Sequence, residues 1–280
     1  TEQSNGTSYS IVAVAIITLE TFAGLWINAF IVSVLCIAWV KEKSLNSSEK
    51  ILLLLGWFRF WFLCILWVHS FLSMIYPNYL YVHPILQIIE GAGSFSNYSN
   101  LWVSASLCVF YCIKIANFRN SFFIYLKVKI DRIVPWLSLC HNLNFTCQES
   151  VWKTSINAKK HFFPLYFITG LGFSTSFMAV VFSALLLLFS LWRHKRMMQT
   201  NSMKNLSMDA HIKAMKSILS FFIIYSINFI FLILTLIYSI NVQNEVLLII
   251  DAFLPAFPGI HSLILIFSNP KLERILLRIL

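Results

Sequence analysis

Six long apolar stretches limit what this chain can fold into more than any other feature of its sequence. They cover residues 9–40, 51–76, 85–113, 162–192, 218–240 and 246–267. A bilayer's hydrocarbon core is about 30 Å thick, and a helix needs about 20 apolar residues to cross it. None of the stretches alternates polar and apolar residues with a period of two, which disfavours a β-barrel. The sequence therefore predicts an all-α membrane protein.

The composition excludes several classes of protein. Hydrophobic residues make up 59% of the 280 residues and charged residues 11%, whereas soluble domains carry about 25% charged residues. This balance excludes a soluble enzyme, a disordered chain and a nucleic-acid-binding module, although the net charge is +10. The seven histidines form no H-E-x-x-H pattern, and the acidic residues are too scattered for a catalytic pair. We therefore expect no enzyme activity, no cofactor and no metal site.

Lysine and arginine predict the orientation. They cluster in residues 41–50, 114–132, 193–216 and 271–278, whereas residues 77–84 and 241–245 contain none. Cytoplasmic loops carry the basic excess in membrane proteins. The N-terminus, with an extracellular tail of residues 1–8, is therefore predicted outside. Residues 271–280 are predicted to begin a cytoplasmic C-terminal segment.

The predicted orientation requires one more membrane-spanning helix than the sequence shows. Residues 114–132 and 193–216 are both basic, so both are predicted cytoplasmic, yet only residues 162–192 cross between them. The apolar residues 133–137 are far too few for a span. We predict that a fourth helix begins there and is largely absent from this sequence, with a gap near residues 137–142. The predicted bundle then has seven transmembrane helices within residues 9–270.

Several motifs occur in a fixed order along these spans. Residues 110–118 read F-Y-C-I-K-I-A-N-F and follow Trp102. Residues 190–194 read S-L-W-R-H, and residues 258–262 read P-G-I-H-S, with Asn269 and Lys271 after them. These motifs resemble those of the bitter taste receptors (taste receptor type 2). The resemblance covers nearly the whole chain apart from the tail and residues 137–160.

The resemblance implies a G-protein-coupled receptor in the plasma membrane. Such a receptor binds bitter small molecules in the outer half of its bundle, and its partner is a heterotrimeric G protein with a gustducin or Gi-type α subunit. One alternative is another chemosensory seven-helix receptor, of the pheromone type. A second is a small transporter, which would show paired half-repeats with matching Gly/Pro breaks; no such pairing is visible.

Polar residues inside the spans are costly unless they face the bundle interior. Arg59 lies about nine residues into the second span. We interpret Arg59 as an internal strut whose hydrogen bonds are accepted by Asn28 and Ser262. The alternative is that its side chain snorkels to the cytoplasmic headgroups. The residues with predicted structural roles are Asn28, Arg59, Pro258, His261 and Ser262.

The resemblance also implies that Trp102, Asn228 and Asp251 bind ligand in the outer half of the bundle. Ser106 is a further candidate because it lies one helical turn deeper than Trp102 on the same face, and His69 because it lies near the outer end of the second span. The indole of Trp102 suits aromatic or amine ligands, the alternative being plain packing. Asp251 suits a cationic amine, the alternative being a carboxylate at a helix N-terminus. For Asn228 the alternative is a hydrogen bond between helices.

Two further sets follow from the topology. The predicted G-protein-facing residues are Lys114, Arg119, Lys195, Arg196, His211, Lys213 and Lys216. Their basic character also serves orientation and attraction to anionic lipid. Among the N-x-[ST] sequons, the topology leaves only Asn5 and Asn144 as predicted glycosylation sites on the outer side.

Overall fold

A computed structural model describes residues 2–75, 83–115, 124–125, 128–129, 162–200, 206–238 and 253–279 of the chain. Seven helices of ten residues or more lie within these ranges, which contain no β-strand. They are α1 (Glu2–Glu42), α2 (Ser47–Ile75), α3 (His83–Ile115), α4 (Phe162–Thr200), α5 (Leu206–Tyr238), α6 (Ala256–Ser268) and α7 (Pro270–Ile279). The prediction of an all-α protein of the seven-transmembrane class is confirmed.

The helices follow the apolar stretches of the sequence. Helix α1 contains the first stretch and α3 the third, and α2 covers residues 51–75 of the second. Helices α4, α5 and α6 overlap the fourth, fifth and sixth stretches. Residues 137–142, where the gap is predicted, lie outside the described residues. Helix α1 begins at Glu2, so residues 2–8, predicted as a polar tail, are helical. No proline interrupts this segment, and extending an existing helix adds one hydrogen bond per residue.

The described part of the chain contains three helical segments that are long and apolar enough to cross a membrane. These are Val12–Glu42, Ser47–Leu72 and Gly170–Ser190. Leu219–Thr235 and Ala256–Ser268 are shorter apolar helices.

The exposed surface of the bundle is apolar, and several polar side chains are buried inside it. Trp26 is 81% exposed, whereas Asn28 and Ser262 are 0% exposed. Polar groups avoid hydrocarbon and pair inside the bundle, because lipid offers them no hydrogen bonds. The distribution is the one expected when the solvent is lipid.

The helices close a ring. Each of α1 to α6 packs against the next in the chain, and α6 packs back against α1. One apolar cluster joins α1, α2, α3, α6 and α7 around Leu35, Leu52 and Phe110. A second joins α3, α4 and α5 around Leu101, Val180 and Tyr225. Helix α3 contributes to both clusters, so it lies between the two halves of the ring.

Helix α7 begins immediately after α6 and is fixed at its first turn. The side-chain Oδ1 of Asn269 accepts the backbone N–H of Lys271 at 3.0 Å, which satisfies a free donor at the helix N-terminus. Pro270 occupies the first helical position, where its missing N–H costs nothing. Leu272 is fully buried against the first apolar cluster and holds α7 on the bundle.

A charged cluster joins the ends of three helices. Lys271 Nζ donates to Glu42 Oε1 at 3.1 Å and to Glu49 Oε1 at 3.2 Å. Glu49 Oε2 also accepts the backbone N–H of Asn46 at 3.0 Å, at the start of α2. The hydrogen bonds, that to Glu42 first, raise the pKa of Lys271 above its ordinary value. Lys271 therefore stays charged at neutral pH and connects α1, α2 and α7.

Two glycines on α4 provide a test of the packing between α3 and α4. A Cβ atom added to Gly172 would lie 2.6 Å from Cε2 of the Tyr98 ring, whereas one added to Gly170 would meet nothing within 4 Å. We expect Gly172→Ala to lower the Tm of the purified protein, because overpacking costs about 1–3 kcal/mol. Gly170→Ala is the control, and helix propensity alone predicts an unchanged or higher Tm. Equal Tm values for the two variants would contradict this packing.

Candidate functional site

Arg59 of α2 lies at the centre of a hydrogen-bonded network inside the bundle. Its side chain is almost completely buried, at 2% exposure. Its Nε donates to Asn100 Oδ1 at 2.8 Å, and its Nη2 donates to Ser104 Oγ at 3.2 Å; both acceptors are on α3. Its Nη1 donates to Ser262 Oγ on α6 at 2.8 Å. The planar guanidinium thus contacts two other helices at once, which its fork of five donors permits.

The network continues to α1 through Ser262. The Ser262 hydroxyl donates to Asn28 Oδ1 at 2.8 Å, and Asn28 Nδ2 donates to the Gly24 carbonyl oxygen at 2.8 Å. The sequence predicts that Asn28 accepts directly from Arg59, but the structure inserts the Ser262 hydroxyl between them. A hydroxyl both donates and accepts, so it can connect a guanidinium and an amide oxygen.

His261 completes the contacts of Arg59. Nη2 of Arg59 also meets Nδ1 of His261, which is 4% exposed. A guanidinium can only donate, so Nδ1 is the acceptor, and the proton of the neutral imidazole is on Nε2. His261 Nε2 is buried and has no hydrogen-bond partner among the described residues. The ring leaves one donor unsatisfied beside Arg59.

A cavity of about 200 Å³ lies between α2 and α3 on the side of Arg59 towards the end of α2. We call it the outer cavity. It is lined by Phe62, Ile65, Leu66, His69, Ile89, Gly93, Ser94 and Asn97. His69 lies about 15 Å along the helix axis from Arg59 by the helical rise. The walls are mainly apolar, with three polar side chains that can orient a ligand.

A much smaller cavity adjoins Arg59, between α3, α5 and α6. Its volume is about 10 Å³. We call it the central cavity. The residues that line it are Arg59, Asn100, Leu101, Ser104, Ile224, Tyr225, Asn228, Phe257, Pro258 and His261. The Tyr225 hydroxyl donates to the Leu101 carbonyl oxygen at 3.2 Å and so fixes α5 against α3.

The predicted ligand-binding residues are not brought into one cavity. His69 lines the outer cavity and Asn228 the central cavity. Ser106 is half-buried on α3 and lines neither cavity. Asp251 lies outside the described residues.

Trp102 also lies away from both cavities. Its ring centroid is 6.2 Å from that of Tyr98, and Tyr98 in turn packs 6.1 Å from Phe173 of α4. The indole Nε1 is buried and finds no hydrogen-bond partner in the described part of the chain. In this arrangement the ring packs among the aromatic residues between α3 and α4.

Only two of the predicted G-protein-facing side chains are described. Lys114 is exposed near the end of α3, with Nζ 5.1 Å from the centre of the Phe110 ring. Arg196 is exposed on α4, with its guanidinium 4.6 Å from the Trp192 ring. The structure describes only the helical backbone at Lys195, His211, Lys213 and Lys216. The same is true of Asn5, and Arg119 and Asn144 lie outside the described residues.

Some residues of the site were not identified from the sequence. Asn100 and Ser104 bind Arg59, and Gly93, Ser94 and Asn97 line the outer cavity. Asn100 and Ser104 are four residues apart, so they share one face of α3. That spacing in an apolar span is a usable signal for a polar contact. It does not identify Arg59, 41 positions earlier, as the partner.

Substitution of two serines tests whether the Arg59 network stabilises the protein more than a hydrogen bond within one helix does. Ser262→Ala removes an acceptor of Arg59 and the donor to Asn28. We expect the Tm to fall, because leaving buried polar groups unsatisfied costs about 1–3 kcal/mol each. Ser226→Ala is the control, since its hydroxyl donates only within α5, to the Phe222 carbonyl oxygen. If both variants unfold at the same temperature, Ser262 does not hold the helices together.

The chain resembles proteins of one family over nearly its whole length. The family model of the taste receptor protein (TAS2R) matches residues 6–280. Taste receptor type 2 member 9 of Papio hamadryas is 30% identical, over 95% of this chain and 92% of its own. Member 7 of Macaca mulatta is 31% identical, over 93% and 90%. Member 105 of Mus musculus is 30% identical, over 96% of both chains. These relatives are taste receptors rather than enzymes, and with the helical bundle described above they show that the chain belongs to the taste receptor type 2 family.

Proposed function

We propose that this bitter taste receptor binds small molecules in the outer half of its bundle and activates a gustducin or Gi-type G protein at the inner side. The N-terminus is proposed to lie outside the plasma membrane and the C-terminus in the cytoplasm. The observation that carries the ligand site is the outer cavity of about 200 Å³ between α2 and α3. It lies between the Arg59 network and the proposed outer end of α2.

The chemistry of the outer cavity favours small, largely apolar ligands. Phe62, Ile65 and Leu66 supply apolar surface, while His69 and Asn97 offer hydrogen-bonding groups. Ligand sites of proteins typically combine apolar walls with a few polar groups that fix orientation. A bitter agonist with one or two polar groups would satisfy both kinds of contact.

Other ligand contacts are proposed from the family resemblance alone. Asp251 would pair with the charge of a cationic amine, and Trp102 would supply a flat aromatic face. Ser106 and Asn228 would add polar contacts deeper in the bundle. These four residues extend the proposed site beyond the outer cavity.

Two glycines of α3 allow a direct test of the outer cavity. A Cβ atom at Gly93 would lie 3.4 Å from Ile65 Cγ2, an ordinary contact, so a larger side chain can enter the cavity from there. We expect Gly93→Leu to raise the EC50 of agonists about tenfold or more, which corresponds to about 1.4 kcal/mol of lost binding. The measurement is a dose–response curve of G-protein activation in cells.

Gly91→Leu is the matched control. A Cβ atom at Gly91 meets nothing within 4 Å, and Gly91 does not line the outer cavity. Both variants are compared at equal surface expression. Unchanged EC50 values in Gly93→Leu for every agonist tested would contradict the proposed ligand site.

The inner side of the bundle supports G-protein coupling through its basic residues. Lys114 and Arg196 are exposed at the ends of α3 and α4 that the orientation places in the cytoplasm. The partner G protein would meet these helices and the start of α5. An agonist activates only by binding one bundle state more tightly than the other. The Arg59 network lies between the proposed ligand site and the proposed G-protein surface. A change of packing that links the two would therefore involve this network.

Charge reversal at the start of α5 tests the coupling surface. We expect Lys213→Glu with Lys216→Glu to reduce the maximal G-protein response, because like charges oppose an acidic partner surface. Surface expression should remain close to that of the unmodified receptor. A matched reversal of Arg274 and Arg278, both exposed on α7, controls for the loss of basic charge alone. If the response is intact and only trafficking falls, Lys213 and Lys216 serve orientation rather than signalling.

A further inference from the structure

Arg59 is a buried cation whose described contacts are all neutral. Its hydrogen-bond partners are Asn100, Ser104, His261 and Ser262. None of the described carboxylates contacts it; Glu42 and Glu49 bind Lys271 instead. A charge removed from water is costly unless an opposite charge lies nearby. Among the described residues, the charge of Arg59 therefore has no opposite charge beside it.

Some hydrogen-bond donors around Arg59 have no acceptor among the described residues. The bonds to its four partners use four of its five N–H groups, which leaves one on Nη1. The His261 Nε2–H is buried and finds no acceptor among the described residues. The amide of Asn228 adds a further donor on α5 to the lining of the same cavity. The wall of the central cavity is thus rich in hydrogen-bond donors.

The central cavity offers room for one small ligand. Its volume is about 10 Å³, against about 200 Å³ for the outer cavity. Tyr225 is buried at its wall, and its hydroxyl is committed to the Leu101 carbonyl oxygen. The cavity therefore suits a monatomic ion better than an organic anion.

We propose that the central cavity binds one chloride ion, which accepts hydrogen bonds from His261 Nε2–H and the Asn228 amide and neutralises Arg59. The Arg59 network directly connects α1, α2, α3 and α6. The ion adds α5, because Asn228 belongs to that helix. Chloride is thereby a structural ligand of the bundle, independent of the agonist in the outer cavity.

The test is the Tm of the purified receptor, without agonist, in sodium chloride and in sodium gluconate at equal ionic strength. Gluconate is much larger than chloride. We expect the Tm to rise with the logarithm of the chloride concentration above the Kd, by about 3–6 °C at ten times the Kd. Bromide should act like chloride. The same Tm in chloride and gluconate would overturn the proposal and leave at most a neutral water in the cavity.

Two matched substitutions locate the effect. Asn228→Asp places a carboxylate in the central cavity, so this variant should no longer respond to chloride. Asn97→Asp makes the same chemical change in the outer cavity and should respond as the unmodified receptor does. An undiminished chloride response in Asn228→Asp would place the ion elsewhere and overturn the proposal. If Asn228→Asp cannot be purified, the titration of the unmodified receptor decides alone.

Discussion

The burial of the Arg59 guanidinium is the interaction on which the rest of the bundle depends. A charged side chain in the hydrocarbon region must find its partners within the protein, because no water is available there. Neutral acceptors on α3 and α6 supply them, and Ser262 passes the network on to Asn28 of α1. Four helices are therefore held in one relative arrangement by directional bonds, while the apolar surfaces between them pack without such directionality.

This network lies between two features of the bundle. The outer cavity lies on one side of Arg59, and the exposed basic ends of α3 and α4 lie on the other. Packed interiors change between discrete arrangements and do not deform continuously. Two such arrangements of the helices would differ in the hydrogen bonds that join the four helices. The cluster of Lys271 with Glu42 and Glu49 holds the end of α1, the start of α2 and the start of α7 in a similar way.

The polar residues show which parts of the site can be predicted from the sequence. The cost of a charge in a span identifies Arg59, and the motif identifies Ser262, so the sequence predicts both. Asn100 and Ser104 were not found, because a pattern of period 3.6 assigns residues to a face of one helix only. Trp102 shows the same limit: its motif predicts a ligand contact, but no local pattern predicts that its ring packs beside Tyr98.

The sequence by itself determined the class of this protein. Apolar stretches of membrane length require helices, since only a helix satisfies its own backbone in lipid, and the ordered motifs identify the family. Tertiary structure alone decided which helices meet and at what register. Contacts such as that of Arg59 with Asn100, and the space left between α2 and α3, depend on the rotation and approach of whole helices. Residues far apart in the chain set that geometry together, so no local pattern contains it.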